Sequence, residues 1–193
     1  MEIIMATNNQ HKVNEIRSAL PSGITIRSLK EAGIEIEIEE PHETLEENAA
    51  EKARTIKKLT YKDCFSEDTG LEVKILNNEP GVHSARYAGE FASYEENTAK
   101  LLRKMEGLTE RRARFRTVIC LLFNEKEYYF EGICEGRILE GRKGDKGFGY
   151  DPVFQPDGSG KSFAEMEMEE KNLFSHRAKA VAELVEFLKH IDK

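Results

Sequence analysis

The sequence has few cysteines, and their spacing fits neither a metal site nor a disulfide framework. It contains three, Cys64, Cys120 and Cys134, which are far apart and form no Cys-x-x-Cys pair. A zinc site needs several Cys or His ligands at short spacing, and a disulfide framework needs an even number of cysteines. We therefore expect three small, buried side chains in a protein of the reducing cytoplasm.

Long apolar segments are also missing. The longest uninterrupted apolar run covers residues 118–123, whereas a membrane-spanning helix needs about 20 such residues. The chain begins with an acid at Glu2 and reaches the polar Thr7 after a few apolar positions, unlike a secretory signal. We predict neither a signal peptide nor a membrane span.

The chain has no excess of basic residues. Its 193 residues include 29 Lys and Arg against 36 Asp and Glu, which gives a formal net charge of -7. Domains that bind nucleic acid present a basic surface to the phosphates, so this composition argues against a nucleic-acid partner. A smaller polyanion would have to be bound by a local cluster of Lys and Arg, or through a metal ion.

The apolar patterns predict a mixed α/β fold. A short apolar run at residues 3–6 is followed by a polar loop and then by Val13, Ile16 and Leu20 at helical spacing, which indicates strand, loop and helix. Hairpin-like strands fill the middle of the chain and helices return at its end. Because no Ser-, Gly- or Pro-rich linker interrupts residues 1–193, we predict a single domain with an elongated mixed β-sheet flanked by helices, in two lobes with a cleft between them.

Three predicted strands and one predicted helix bear on the later argument. Residues 34–40 alternate strictly between Ile and Glu, which predicts a half-buried strand with an acidic outer face. Residues 63–66 and 71–76 predict two further strands, separated by a polar Ser-Glu-Asp-Thr-Gly stretch. Thr44, with a Glu three positions later, predicts the start of a helix over about 45–59.

Residues 147–162 are rich in glycine and end in Gly-Lys-Ser, as phosphate-binding loops do. A Walker A loop with this ending would need glycine at position 155, where the sequence has Gln155. The third glycine of the dinucleotide-binding pattern is replaced by Pro152. Both phosphate-loop interpretations are therefore rejected, and residues 155–161 are predicted to form a surface turn. Residues 148–151 place a flat ring and a carboxylate on backbone that can approach a ligand, or else form a tight turn before a strand.

Five motifs occur in order along nearly the whole chain, at residues 7–12, 66–71, 80–87, 148–152 and 170–177. In that order the sequence resembles the inosine/xanthosine triphosphate pyrophosphatase family, which hydrolyses deaminated purine nucleoside triphosphates to the monophosphate and pyrophosphate. The family usually opens with Thr-Gly-Asn, and this chain has Asn8 at the glycine position. Asn tolerates left-handed backbone better than most residues, so we expect the loop to form.

The resemblance implies one group of residues for the triphosphate and the reaction. Asp68 would be the general base and, together with Glu40, would bind Mg²⁺, while Lys52 would contact phosphate. Glu40 and Lys52 also have ordinary alternatives, as an acid of the solvated strand face and as a surface lysine. The remaining substrate contacts of this group would be Thr7, Asn8, Asn9, Gln10, His11, Lys12 and Thr69. A loop that opens a helix suits this role because helix N-termini favour anions.

A second group is implied for the purine. Phe148 would stack on the ring, and Asp151 would accept a hydrogen bond from N1–H or from a neighbouring donor. Donors from His176 or Arg177, or from their backbone, would pair with the C6 carbonyl of hypoxanthine or xanthine, which adenine lacks. Guanine also carries that carbonyl, so this contact alone does not exclude GTP. The remaining members of the group are Gly149, Tyr150 and Lys171.

The resemblance thus implies a Mg²⁺-dependent enzyme that binds its nucleotide in the predicted cleft and removes ITP, dITP and XTP from the nucleotide pool. It implies a homodimer, and the composition predicts a cytoplasmic protein that binds neither nucleic acid nor membrane. Two alternatives stay open. One is a Maf-type nucleotide pyrophosphatase with a different base preference, although the Ser- and Arg-rich opening loop of that family is not found here. The other is a nucleotide-binding regulator without turnover.

Overall fold

The computed structural model describes residues 2–191 and contains a mixed set of strands and helices. The strands are β1 (Glu2–Met5), β2 (Thr25–Ser28), β3 (Cys64–Val73), β4 (Glu79–Gly81), β5 (Arg112–Phe123), β6 (Lys126–Ile138) and β7 (Phe154–Pro156). The helices are α1 (Gln10–Ala19), α2 (Leu45–Thr60), α3 (Tyr94–Lys104), α4 (Met168–Asn172) and α5 (His176–Ile191). The predicted alternation of strand, loop and helix at the start of the chain is confirmed.

The strands form one mixed sheet in the order β2-β1-β3-β5-β6-β7, with β4 paired to β3. β1 runs parallel to both β2 and β3, whereas the β3–β4 and β6–β7 pairs are antiparallel. The mixed α/β class is therefore confirmed. Within residues 2–191, no helix is long and apolar enough to cross a membrane.

The chain divides into two compact units, each with its own buried core. The first comprises Met1–Asp68, Thr117–Gly132 and His176–Lys193. Its core includes Met5, Phe65, Ile119 and Leu184. The second comprises Thr69–Arg116 and Ile133–Ser175, and its core includes Leu71, Phe115, Phe154 and Phe163. The description of residues 1–193 as one domain, and the cleft, stay predictions.

Close helix–strand packing in the first unit depends on a glycine. A Cβ atom added to Gly132 in β6 would lie 1.9 Å from the carbonyl oxygen of His176 and 2.6 Å from the amide nitrogen of Ala180. No side chain fits in that space, so α5 lies directly against the strand. This contact fixes the position of the first turn of α5, which carries two of the predicted site residues.

The predicted strand at residues 34–40 is wrong. The side chains alternate as predicted, with Ile34, Ile36 and Ile38 half-buried against the core of the first unit and the Glu that follows each of them exposed. The backbone, however, belongs to no strand. An alternating pattern reports that one side of an extended segment is apolar, and it does not supply a neighbouring strand with free N–H and C=O groups.

The two strands predicted around the Ser-Glu-Asp-Thr-Gly stretch are a single strand, β3, which runs without a break from Cys64 to Val73. No strand was predicted across the polar stretch, and carboxylates are costly to bury. Glu67 and Asp68 are nevertheless buried, with exposed fractions of 1% and 5%. Their charges are paired with cationic side chains, so the strand continues through them. Residues 74–76, predicted as the end of the second strand, form a short 3-10 helix instead.

The remaining local predictions are largely confirmed. Cys64, Cys120 and Cys134 are free and buried. Helix α2 begins at Leu45, with the Thr44 hydroxyl accepting a hydrogen bond from the Glu47 amide. Residues 157–161 form turns and bends, and the Lys161 ammonium pairs with the Glu170 carboxylate at 2.7 Å. The surface turn predicted for residues 155–161 is wrong at its start, because Gln155 and Pro156 are buried in β7, where they pair with β6.

Candidate active site

The loop between β1 and α1 is held in shape by its own polar side chains. Asn9 is the N-cap of α1, and its Oδ1 accepts hydrogen bonds from the amides of His11 at 3.0 Å and Lys12 at 3.3 Å. Thr7 Oγ1 accepts from the Asn9 amide at 3.1 Å. These contacts fold the loop around the start of the helix, where backbone N–H groups and the helix dipole favour an anion.

Two other residues of the loop use their side chains elsewhere. Gln10 donates to Asn14 Oδ1, one turn further along α1, at 2.8 Å. Asn8 donates from Nδ2 to the carbonyl oxygen of Ile36 at 2.9 Å. The side chain that replaces the family's glycine therefore joins the loop to the extended segment 34–40.

Lys12, at the end of this segment, belongs to a network of ion pairs with buried side chains. Its ammonium lies 2.8 Å from Glu67 Oε1. The same carboxylate accepts from Arg177, with Nε 3.3 Å from Oε2 and Nη2 3.4 Å from Oε1. Arg177 Nη1 also pairs with Glu15. The guanidinium is 2% exposed, so burial opposes its charge, but the two carboxylates outweigh that effect and raise the pKa of Arg177.

Lys52 projects from α2 between the two acids that were predicted to bind Mg²⁺, Glu40 and Asp68. Its ammonium lies 3.2 Å from Asp68 Oδ1 and also forms an ion pair with Glu40. The side chain of Lys52 is 8% exposed, which argues against the surface-lysine interpretation. The pair with Lys52 also distinguishes Glu40 from the other acids of segment 34–40, which are exposed.

The surroundings of Lys52 and Asp68 shift both of their pKa values. Burial raises the pKa of the Asp68 carboxyl and the neighbouring Glu40 carboxylate adds to the effect, whereas the Lys52 ammonium opposes it. Burial lowers the pKa of Lys52, but the carboxylates of Asp68 and Glu40 outweigh burial and raise it. Lys52 is therefore a fixed cation, and Asp68 holds a proton more readily than an exposed aspartate does.

The acids near Lys52 suit a hard divalent cation. Among residues 2–191, no group of three or more His, Cys, Asp or Glu side chains is placed to hold a metal ion. Mg²⁺, however, is usually bound by one or two carboxylates together with water and substrate phosphates. Asp68 Oδ2 is buried and has no hydrogen-bond partner in the described part of the chain. A carboxylate oxygen in that state beside Glu40 fits the requirements of Mg²⁺.

In the second unit, residues 147–151 form a tight turn around one carboxylate. Asp151 Oδ2 accepts a hydrogen bond from the Phe148 amide at 2.9 Å. Gly147 has φ +71°, and a Cβ atom there would lie 2.0 Å from Asp151 Oδ2. Gly149 also has positive φ, at +62°. The glycines are therefore required by the turn itself, and the turn places the ring of Phe148.

Lys171 supports this turn from α4. Its ammonium lies 2.6 Å from Asp151 Oδ2, and both side chains are buried. The ammonium is also 5.6 Å from the centroid of the Phe148 ring. Tyr94, at the start of α3, has its ring centroid 5.8 Å from that of Phe148, with the ring planes at 53°. The half-buried Phe148 ring thus has a cation and a second aromatic ring as neighbours.

Not every predicted site residue offers its side chain to a ligand. Tyr150 is 5% exposed, and its hydroxyl donates to the carbonyl oxygen of Ser84 at 2.8 Å. The Gly149 carbonyl accepts from the hydroxyl of Thr98 at 3.3 Å. Tyr150 therefore belongs to the core, and a nucleotide contact there would use the backbone. Thr69, next to Asp68 in β3, is half-buried, and His176 is 2% exposed.

Sequence reasoning missed two acids of the first unit, Glu15 and Glu67. Glu67 had a usable signal in the sequence, because it stands beside Asp68 in the same motif. Its contacts with Lys12 and Arg177 are visible only in the folded structure. Glu15 had a weaker one, since it lies on the helix between the apolar Val13 and Ile16. Glu15 is recognisable as a site residue only after Arg177 is known to be buried.

The chain matches the model of the Ham1 family over residues 3–187. A dITP/XTP pyrophosphatase of Flavobacterium psychrophilum is 46% identical over 190 residues, which cover 98% of this chain and all of the relative. A dITP/XTP pyrophosphatase of Porphyromonas gingivalis is 49% identical, over 97% of each chain.

Solved structures agree with this match. The structure of the Staphylococcus aureus Ham1 protein is similar, with a TM-score of 0.87 and 39% identity, over 98% of this chain and 99% of the other. A HAM1 protein from Coxiella burnetii has a TM-score of 0.89 and 36% identity over the same shares.

Proposed function

Because the chain belongs to the Ham1 family, we propose that it is a nucleoside triphosphate pyrophosphohydrolase that acts on ITP, dITP and XTP. The products are the nucleoside monophosphate and pyrophosphate, and the cellular consequence is removal of deaminated purines from the nucleotide pool. The observation that carries the proposal is the buried pair of Lys52 and Asp68, with the half-buried Lys12 in the same unit at the start of a helix. It supplies cations for phosphates and a carboxylate for water in one unit of the chain.

The triphosphate is bound by the loop at residues 7–12 and by the cations behind it. The positive end of the α1 dipole attracts the phosphates, and the ammonium of Lys12 donates to phosphate oxygens. Lys52 supplies a second fixed cation, which the pair of acids around it keeps protonated. Catalysis at phosphorus depends mainly on such positioning and on neutralising charge.

Asp68 accepts the proton of the attacking water. The water oxygen forms a bond to the α-phosphorus, and the bond from that phosphorus to the bridging oxygen breaks. The electron pair of the broken bond leaves with pyrophosphate, and the water proton moves to a carboxylate oxygen of Asp68. A carboxylate with a raised pKa is better suited to this step than an ordinary one, because proton transfer is most efficient when the base is close to the working pH.

Glu40 and Asp68 are the residues that would hold Mg²⁺. The ion would supply positive charge to the phosphates and lower the pKa of bound water. The pairing of both acids with Lys52 supports the assignment, because it keeps the two carboxylates together at one point of the first unit.

The purine contacts are proposed for Phe148 and its turn, together with His176 and Arg177. The Phe148 ring offers a flat apolar surface for stacking. Asp151 stabilises the turn and pairs with Lys171, and in this arrangement its carboxylate accepts hydrogen bonds from neighbouring donors. Donors aimed at the C6 carbonyl would be left unpaired by adenine, and such sites discriminate by about 10⁴ to 10⁵. Exclusion of GTP would need a further feature directed at its 2-amino group.

We further propose that the protein works as a homodimer in the cytoplasm and binds neither nucleic acid nor membrane. The match to curated dITP/XTP pyrophosphatases along the whole chain favours the proposed substrates over the Maf-type alternative. The buried acid Asp68 beside Lys52 favours turnover over a purely regulatory role.

The proposed reaction is tested by locating the bond that breaks. Hydrolysis of ITP is run with Mg²⁺ in water enriched in the heavy oxygen isotope, and the products are analysed by mass spectrometry. We expect the label in inosine monophosphate, because water attacks the α-phosphorus. Label in pyrophosphate, or release of inorganic phosphate from ITP, would contradict the mechanism. A sample with chelator in place of Mg²⁺ tests the metal requirement, and full activity there would contradict it.

A further inference from the structure

Glu67 is the most deeply buried acid of the first unit and contacts two of the proposed substrate-binding cations. It is 1% exposed. Its Oε1 lies 2.8 Å from the Lys12 ammonium, and the carboxylate also accepts from Nε and Nη2 of Arg177 at 3.3 and 3.4 Å. One carboxylate therefore holds a residue of the triphosphate loop and a residue of the base-reading helix.

This link depends on the fold, because its three residues lie on three different elements of the chain. Lys12 is in α1 and Arg177 is in α5, with Glu67 on β3 between them. In a strand, neighbouring side chains point to opposite faces, so Glu67 and the adjacent Asp68 face different partners. A buried carboxylate between two cations is costly to displace, because moving either cation leaves a charge without compensation. The positions of Lys12 and Arg177 are thus fixed against each other.

We propose that Glu67 is a positioning residue that couples recognition of the purine carbonyl to placement of the triphosphate. This inference rests on the proposed function, in which Lys12 binds phosphate and Arg177 reads the base. Glu67 does not touch the substrate. It sets the positions of two side chains that do, so that a nucleotide whose base displaces Arg177 also loses the correct position of Lys12.

The chain offers a matched control in Glu15. Glu15 is also buried, at 5% exposure, and pairs with the same guanidinium through Nη1. The variants Glu67→Gln and Glu15→Gln each replace one of the two carboxylates that pair with Arg177 by a neutral amide of the same size. Glu67 lies 2.8 Å from the Lys12 ammonium, whereas the ion pair of Glu15 is with Arg177 Nη1. A general effect of neutralising a buried acid would therefore appear in both variants.

The test combines a phosphate-only probe with base discrimination. In Glu67→Gln we expect tripolyphosphate to inhibit several-fold more strongly, because Lys12 loses a competing carboxylate. We expect kcat for ITP to fall about 10-fold or more, because the ammonium is no longer placed for the transition state. The ratio of kcat/KM for ITP over ATP should fall as well. In Glu15→Gln we expect that ratio to fall while inhibition by tripolyphosphate stays at the wild-type value. Unchanged or weaker inhibition of Glu67→Gln, or an unchanged ratio, would overturn the proposal.

A measurement without substrate separates this inference from the proposed function. Urea unfolding is measured for Lys12→Met alone and in the Glu67→Gln background. We expect Lys12→Met to destabilise the protein when Glu67 is present and to have little effect when it is absent; equal effects in both backgrounds would overturn the link. Glu67→Asp, which keeps the charge but shortens its reach, replaces Glu67→Gln if that variant does not fold. Wild-type protein that shows the stability coupling but releases no pyrophosphate from ITP would refute the function and leave the link intact.

Discussion

The ammonium of Lys52 lies 3.2 Å from Oδ1 of Asp68, and each of the two side chains is only 8% exposed. This pair brings together a residue of helix α2 and a residue of strand β3 that are 16 positions apart in the sequence. It places a permanent cation beside the proposed general base. The chemistry assigned to the site depends on this relationship more than on any other, and the first two predictions test it.

We expect Asp68→Asn to abolish most turnover while substrate binding remains. The amide keeps the shape of the side chain but cannot accept a proton, and a general base typically contributes about 10²- to 10⁴-fold to the rate. The measurement is kcat for pyrophosphate release from ITP, with binding of a non-hydrolysable analogue as the control. An Asp68→Asn protein with near wild-type kcat would remove Asp68 from the reaction.

The pH dependence of the rate should report the same pair. Asp68 must be ionised to act as a base, so kcat/KM should fall as the pH falls through its pKa. The Lys52 ammonium lowers that pKa against the larger effect of burial. Removing the cation in Lys52→Met therefore raises the pKa, and the acid limb of the kcat/KM profile should move to higher pH. Lys58→Met, on the same helix, is the control. An acid limb at the wild-type pH in Lys52→Met would contradict the proposed role of Asp68.

Phe148→Ala should weaken substrate binding with little change in kcat. Loss of base stacking costs about 1–3 kcal/mol, so we expect KM for ITP to rise roughly 10-fold. Phe91→Ala is a suitable control, because Phe91 is also in the second unit and is 98% exposed. Equal KM values in the wild type and Phe148→Ala would exclude Phe148 from the base site.

Two glycines of the Phe148 turn provide a stability test. Alanine at Gly147 or Gly149 is disfavoured by positive φ, at a cost of about 1–2 kcal/mol. At Gly147 the added Cβ would also lie 2.0 Å from Asp151 Oδ2, whereas at Gly149 it would meet no atom of the described residues within 4 Å beyond its chain neighbours. In urea unfolding, Gly147→Ala should therefore lose clearly more stability than Gly149→Ala. Equal losses would mean that Asp151 can move away from Phe148 and Lys171 without cost.

The sequence allowed the fold class and most elements to be predicted, because these depend on local periodicity and capping. Helix α2 began where Thr44 predicted, and the mixed strand and helix order was correct. Segment 34–40 was predicted wrongly as a strand, since its alternation of Ile and Glu reports burial and not pairing. Strand β3 was divided in the prediction, because the cations that compensate Glu67 and Asp68 are remote in sequence.

The site was predictable to the extent that its residues belong to motifs. The resemblance identified Lys12, Lys52, Asp68 and Arg177 as candidates, and the structure places them in two sets of ion pairs in the first unit, one with Lys12 and Arg177 and one with Lys52 and Asp68. What the sequence could not provide was the connection between Lys12 and Arg177, which passes through Glu67. A bridging carboxylate is defined by three elements meeting in space, and no spacing along the chain encodes that.

The most direct measurement is a comparison of kcat/KM for pyrophosphate release across ITP, dITP, XTP, GTP and ATP, with Mg²⁺ present. We expect the three deaminated nucleotides to be hydrolysed with similar efficiency. We expect kcat/KM for ATP to be lower by at least about 10⁴-fold, because its C6 amine cannot accept hydrogen bonds from donors that are placed for a carbonyl oxygen. Comparable turnover of ATP and ITP, or no pyrophosphate from any of the five, would contradict the proposed function.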